Sequence, residues 1–270
     1  MMSGSLWRAT AAVTAAVVCV SAGAAAQEYE SPGDVRIDAP APRPAPPDTF
    51  RLFRSRADSL TSVVTRAAAE RARGRRVVVS LAERRLWVFD GRDTLLDAPV
   101  AIGMGRTFQY GTKRWRFATP RGVRVVRAKR AAPPWRPPEW AYAEVAREYD
   151  LKLARLRADR PVTLPDGRQL VVRDSLVGLM LDDGFAPLPV DEHIVFGSTL
   201  YIPPIGTKNR HLIGELGRYQ LDLGDGYLLH GTPDESTIGS AVTHGCVRLR
   251  AADLARLYEV VPVGTRVYLY

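Results

Sequence analysis

A thiol and two imidazoles lie close together in this chain, in His230-Gly231-Thr232 and in Thr243-His244-Gly245-Cys246-Val247-Arg248-Leu249. A thiol at its ordinary pKa is only a few per cent thiolate at neutral pH. A neighbouring imidazole can take its proton and hold an imidazolium–thiolate pair, which is the nucleophile of covalent acyl transfer. If residues 244–249 are extended, their side chains alternate. His244, Cys246 and Arg248 then share a face turned to a cleft, while Gly245, Val247 and Leu249 face the core. Gly245 carries no side chain, so a substrate carbonyl can approach its backbone. The N–H groups of Gly245 and Cys246 are candidates for stabilising an oxyanion. Arg248 would bind a substrate carboxylate or favour the thiolate, and Thr232 and Thr243 flank the same cleft. His230 ends the apolar run Tyr227-Leu228-Leu229, which anchors it, and we read it as the general base. His244 is read as an assistant that orients substrate or shapes the pocket.

Two other readings of these residues exist. A free cysteine is often a small buried hydrophobe. A zinc site on His230, His244 and Cys246 would need a fourth ligand or an open position. His193 and His211, the other histidines, show no metal-ligand spacing.

The compartment bears on the cysteine. Residues 1–26 hold one charged side chain, Arg8, then an apolar run from Ala9 to Val20, then Ala24-Ala25-Ala26. This is the pattern of a secretory signal peptide cleaved after Ala26, and it predicts export to the periplasm or cell wall. The apolar run is too short for a stable transmembrane anchor. Cys19 lies in it and leaves with it, with Val17 and Val18 before it in place of the small residues of a lipidation site. Export favours disulfides between paired cysteines. The mature chain keeps a single cysteine, so Cys246 is a free thiol.

The formal charge is +9, or +8 once Arg8 is removed, and only four of the 38 basic residues are lysine. A basic balance points to an anionic partner, here a cell-wall polymer with peptide carboxylates or a membrane surface. An arginine-rich, well-solvated surface without a partner explains it equally. No nucleic-acid-binding motif is present.

Residues 27–49 are rich in proline and alanine and read as an extended tether. Residues 50–74 read as an amphipathic helix that packs on the domain or touches a membrane surface. From Arg75 the pattern turns to short strands: Val77 to Leu81, Arg85 to Phe89 and the Asp90-Gly91 hairpin turn, Leu95 to Ile102, Val123 to Val126, a pair around Pro165-Asp166-Gly167, Tyr219 to Leu223, Tyr227 to His230 and Arg266 to Tyr270. Ala251 to Val260 reads as a short helix. Many short strands with regular turns predict a mainly β sandwich or barrel. Residues 139–160 break the rhythm as a charged helix inside a longer insertion at about 136–200. The preceding Pro133-Pro134-Trp135-Arg136-Pro137-Pro138 would form a lid, with Trp135 and Trp140 contacting substrate or packing rigidly.

The run His230-Gly231-Thr232, a short loop, then Thr243-His244-Gly245-Cys246-x-Arg248 resembles the active-site signature of the L,D-transpeptidase (YkuD-type) catalytic domain. Thr119-Pro120-Arg121-Gly122 is similar to that family's Thr-Pro-x-Gly turn. Asn209, Gly214 and Gly217 fall in its Asn/Gly-rich lead-in, and Arg250 to Tyr270 is similar to its closing helix and strand. The resemblance implies a catalytic domain over 75–270 with Cys246 as acylated nucleophile. It implies His230 as base, oriented through the Gly231 carbonyl, with His244, Gly245, Arg248 and Asn209 completing the pocket. It further implies attack on a peptidoglycan tetrapeptide stem, release of the terminal D-alanine and a 3→3 cross-link, with no metal or organic cofactor. Water in place of an amine would make the enzyme an L,D-carboxypeptidase or amidase. A cell-wall-binding module without catalysis is the remaining class.

Overall fold

The computed structural model describes residues 52–270, so the predicted signal peptide and proline-rich tether lie outside the described residues. A five-stranded sheet runs in the order Asp93–Pro99, Arg85–Asp90, Arg75–Ser80, Arg266–Leu269, Gly122–Val125. Its sequence-adjacent strands Arg75–Ser80 and Arg85–Asp90 pair antiparallel, and the C-terminal strand closes parallel on Arg75–Ser80. A four-stranded sheet lies in the order Val247–Arg248, Leu228–His230, Tyr219–Asp222, Ala128–Ala131. One hydrophobic core joins the two sheets and the C-terminal helix α3: Val77, Val79, Leu86 and Val267 from the first, Leu221, Leu229 and Val247 from the second, Leu254 and Leu257 from α3. These alternate residues are what period-2 patterning places on one face. The architecture is thus mainly β, a sandwich with three short α-helices: α1 (Arg56–Arg71), α2 (Glu139–Glu148) and α3 (Ala251–Val260). Among the described residues no helix is long and apolar enough to cross a membrane.

Helix α1 starts where Ser55 Oγ accepts the Asp58 N–H at 3.1 Å, a side-chain N-cap. It packs on the outer face of the five-stranded sheet, with Ala69 against Val78 and Tyr268 and with Trp87, Phe89 and Tyr270 around them. Its buried face is the small and polar one, not the one that carries the large apolar side chains. Ser62, Thr65 and Ala69 are buried, whereas Leu60, Val63 and Val64 are 56%, 63% and 64% exposed. The sheet already supplies the bulky rings here, so small side chains let the helix approach.

The insertion also departs from expectation. The helix over 139–160 stops at Glu148, and Asp150 takes a positive φ of 52°. The chain then runs extended, and Lys152–Arg155 pairs parallel with Thr199–Ile202. A four-stranded meander, Val162–Thr163 to Gly184–Pro187, follows with its own core of Leu156, Leu164, Leu170, Val177, Leu179, Ile194 and Tyr201. Helix α2 bridges to the insertion, packing Tyr142 and Ala146 on Leu200 and Ile202. A hairpin that the sequence reading passed over, Arg106–Tyr110 with Lys113–Phe117, supports α2 from the other side. There Phe108 and Phe117 pack on Ala143, Arg147 lies 4.4 Å over the Phe108 ring, and Tyr110 donates to the Leu151 carbonyl at 2.9 Å. Glu139 ties the two sides, pairing with Lys113 of the hairpin and Arg155 of the insertion.

Candidate active site

The strands Leu228–His230 and Val247–Arg248 run parallel, with Leu229 level with Val247 and His230 level with Arg248. Leu229, Val247 and Leu249 are buried in the core at 0–1% exposure, so the alternation read from the sequence holds over Val247–Leu249, whereas His244 and Gly245 form a bend, with Gly245 at φ +133°, and the run is not extended throughout. Cys246, level with Leu228, therefore shares the opposite face with His230 and Arg248. The sulfur is half-buried at the bottom of a dense surround, and its thiol donates weakly to the Gly226 carbonyl at 3.7 Å.

Burial governs the resting charges. It pushes the Cys246 thiol up to about 11, with a Leu228 N–H and the Arg248 charge pulling the other way. It pushes buried His230 down to about 3, Arg248 adding to the effect and the Gly231 carbonyl opposing it. The resting site thus holds a neutral thiol and a neutral imidazole, not the imidazolium–thiolate pair expected from sequence. The Gly231 backbone is the one group that favours protonation of the His230 ring, although Nδ1 makes no full hydrogen bond. Arg248 is largely buried, its guanidinium lowered by desolvation and surrounded by Cys246, Glu215 and Asp234. Among the described residues no carboxylate closes an ion pair with it.

The loop before the cysteine is built by Thr243. Its hydroxyl donates to the Cys246 carbonyl at 2.6 Å and accepts the Gly245 N–H at 3.2 Å. Thr243 is 1% exposed, so it braces the loop and does not face substrate. The Gly245 N–H is occupied, which leaves the Cys246 N–H as the candidate for an oxyanion. Gly245 is required for a reason other than open approach. Its φ is +133°, and an added Cβ would lie 3.0 Å from the Tyr227 ring and 3.2 Å from the Ala118 carbonyl oxygen. Thr119, from the Thr-Pro-Arg-Gly turn, accepts the Gly103 N–H at 2.8 Å, and the next residue, Met104, donates to the Thr243 carbonyl at 2.9 Å. The turn thus braces the loop from behind.

His244 leans on the insertion. Its ring stacks on Trp140 of α2 at 3.9 Å and 18°, meets Phe117 edge-on at 4.5 Å, and places Nε2 2.9 Å from Glu144 Oε2. Trp135 lies one ring further out, 6.2 Å from Trp140, and its backbone bridges to Leu212 in both directions. Thr232 turns its hydroxyl into its own loop, accepting the Asp234 N–H at 3.2 Å. Asn209 belongs elsewhere. It is 4% exposed, accepts the Val177 N–H at 2.8 Å and donates to the Leu188 and Pro189 carbonyls. Its amide stitches the insertion and has no polar atom left for a substrate, which corrects its reading as a binding residue. Gly231 and Gly217 touch backbone to backbone: an added Cβ on either would come within 2.9–3.1 Å of the other's Cα. Glu144, Glu215, Phe117 and Tyr227 were not singled out from sequence. Only Glu144 left a sign, standing four residues after Trp140 on one helix face. Among the described residues no three His, Cys, Asp or Glu side chains are grouped to hold a metal ion.

A lone thiol, a buried imidazole and a guanidinium on a β-sandwich are the residue types that covalent acyl chemistry can use. The family model for the L,D-transpeptidase catalytic domain matches residues 74–269, and the chain belongs to that family. It is 26% identical over 193 residues to the "Probable L,D-transpeptidase ErfK/SrfK" of Escherichia coli K12, covering 72% of this chain and 43% of that one. It is 47% identical over 66 residues to "Probable L,D-transpeptidase YbiS" of the same strain, covering 24% of this chain and 20% of that one. The chain thus spans less than half the length of these relatives. The L,D-transpeptidase of Xylanimonas cellulosilytica (residues 123–326) superposes at a TM-score of 0.39 with 18% identity, covering 77% of this chain and 69% of that one.

Proposed function

We propose that this chain is an exported peptidoglycan L,D-transpeptidase that forms 3→3 cross-links. Cys246 attacks the carbonyl of the L-centre of the third stem residue. Neutral His230 takes the thiol proton as the C–S bond forms and returns it to the departing D-alanine amine. The amine of a second stem then attacks the thioester, forming the new amide. The thiolate leaves and is reprotonated by the proton the amine gives up. The observation that carries this reading is the placement of Cys246, His230 and Arg248 on one face of the parallel strand pair. Because both reacting groups rest neutral, attack and proton transfer are coupled, and no stored thiolate is needed. Arg248, held beside the sulfur without a carboxylate partner, suits a stem carboxylate. The Cys246 N–H suits the tetrahedral oxyanion, a role worth about 3 kcal/mol in transition-state stability.

Intact mass after exposure to a carbapenem tests the nucleophile: one adduct per chain is expected, lost in Cys246→Ala. Incubation with tetrapeptide muropeptides tests the acceptor. Dimers with loss of D-alanine support transfer. Trimmed monomers alone would assign water as the acceptor and make the enzyme an L,D-carboxypeptidase. Unchanged muropeptides and no adduct would remove the catalytic reading altogether.

A further inference from the structure

Two imidazoles flank Cys246, and the chemistry above uses one. The other, His244, is held by side chains that no part of the sandwich supplies. Trp140 and Glu144 stand one helical turn apart on α2, so they share a face, and that face meets the His244 ring. Trp140 covers the ring plane at 3.9 Å, and Glu144 reaches its Nε2 at 2.9 Å. The remaining edge of the ring rests on Phe117. Helix α2 is itself fixed on both flanks, by Glu139 to Lys113 and Arg155 and by Ala143 between Phe108 and Phe117. The ring therefore has one plane, one edge and one nitrogen determined by a strut anchored in the insertion.

A carboxylate against one imidazole nitrogen keeps the proton on that nitrogen and leaves the other as an acceptor. With Glu144 at Nε2, Nδ1 is the free acceptor, on a ring two residues from the nucleophile. We propose that Glu144 is a positioning residue of the acyl-transfer site. It acts through His244, fixing the Nε2–H tautomer and the ring plane, and so holds the Thr243–Cys246 loop in the geometry from which Cys246 attacks. The insertion is then part of the active site's outer layer. This rests on the acyl-transfer reading above.

The experiment measures the rate of Cys246 acylation by a carbapenem in the full chain, together with the pH dependence of Cys246 alkylation by iodoacetamide. Outer-layer partners of this kind change activity roughly ten-fold or more. Glu144→Ala is expected to slow acylation about ten-fold and to displace the alkylation pH profile, with Tm little changed at this half-exposed position. Glu144→Gln presents an N–H donor as well as an acceptor to Nε2, so it no longer fixes the tautomer and is expected to stay at least about three-fold slower than the parent. Parent-like acylation and pH profile in Glu144→Ala, or parent-like acylation in Glu144→Gln, would overturn the proposal. Nitrogen NMR of the His244 ring in the unsubstituted protein needs no variant to fold: Nε2–H is expected near neutral pH, and an Nδ1–H ring would overturn it. Absence of any carbapenem adduct on the unsubstituted protein would strike the acyl-transfer reading instead, and the NMR result would still decide the tautomer.

Discussion

At the residue scale, the site is defined by which charges burial forbids. His230 is depressed to about 3, so between that value and its ordinary 6.5 the unfolded chain binds a proton that the native one refuses. Stability therefore falls as pH drops from about 6.5 toward 3, at no more than about 1.4 kcal/mol per pH unit from this group. Cys246, raised to about 11, works in the opposite sense at the alkaline end: the native chain keeps a proton the unfolded one loses, and stability falls as pH climbs from about 9 to 11. Chemical denaturation of Cys246→Ser across pH 8–11 is expected to show a flatter alkaline limb than the parent. Gly245→Ala is expected to cost about 1–3 kcal/mol, from the left-handed backbone alone, plus the contact with Tyr227. Trimming Tyr227 relieves the second part only, which a double-substitution cycle in urea will resolve. The sequence made the cysteine, His230 and Arg248 legible because strand alternation needs no more than two neighbouring residues. The tasks of Thr243 and Asn209 were not legible. A polar side chain near a motif reads the same whether it points at substrate or at its own backbone.

At the element scale, most strands of the two main sheets and α3 could be read because each buries one face at a fixed period, whereas Ala128–Ala131 and the hairpin Arg106–Phe117 could not. Helix α1 and the insertion could not. The face a helix buries depends on the surface beneath it, and under α1 that surface is aromatic. Replacing Leu60, Val63 or Val64 with Ser is expected to change stability by no more than about 0.5 kcal/mol, whereas Ala69→Asp is expected to detach the helix. Melting curves of the four variants check both. The helix at 139–160 was overlong because Lys152–Arg155 carries charges that suit a helix, yet pairing with Thr199–Ile202 decides its form. Asn209→Ala leaves the Val177 N–H without its acceptor, an omission worth about 1–3 kcal/mol. That loss should appear in insertion stability, with carbapenem acylation retained.

At the scale of the whole molecule, the two largest hydrophobic clusters of the described chain have no residue in common, one in the sandwich and one in the insertion. Cooperative units of this kind open with separate free energies. Hydrogen exchange read by mass spectrometry is expected to show the meander at 162–187 exchanging before the strands Arg75–Ser80 and Arg266–Leu269. Exchange of both regions at the same free energy would show one cooperative body. Since α2 carries Glu144 and Trp140 and packs on the three-stranded sheet beside that meander, opening of the insertion would reach His244 first. The motif could be found from sequence, but this coupling could not, because about a hundred residues separate Glu144 from His244.

The meeting of Gly217 and Gly231 has a consequence for natural and laboratory variation. Main chain abuts main chain there, so trimming a side chain such as Leu254 relieves only part of the crowding, and the backbone itself must shift to admit a methyl group. A saturation library selected for activity should return the parental codon's amino acid at both sites, singly and in every pairwise combination, while Leu254, whose methyl also borders Gly231, tolerates exchange.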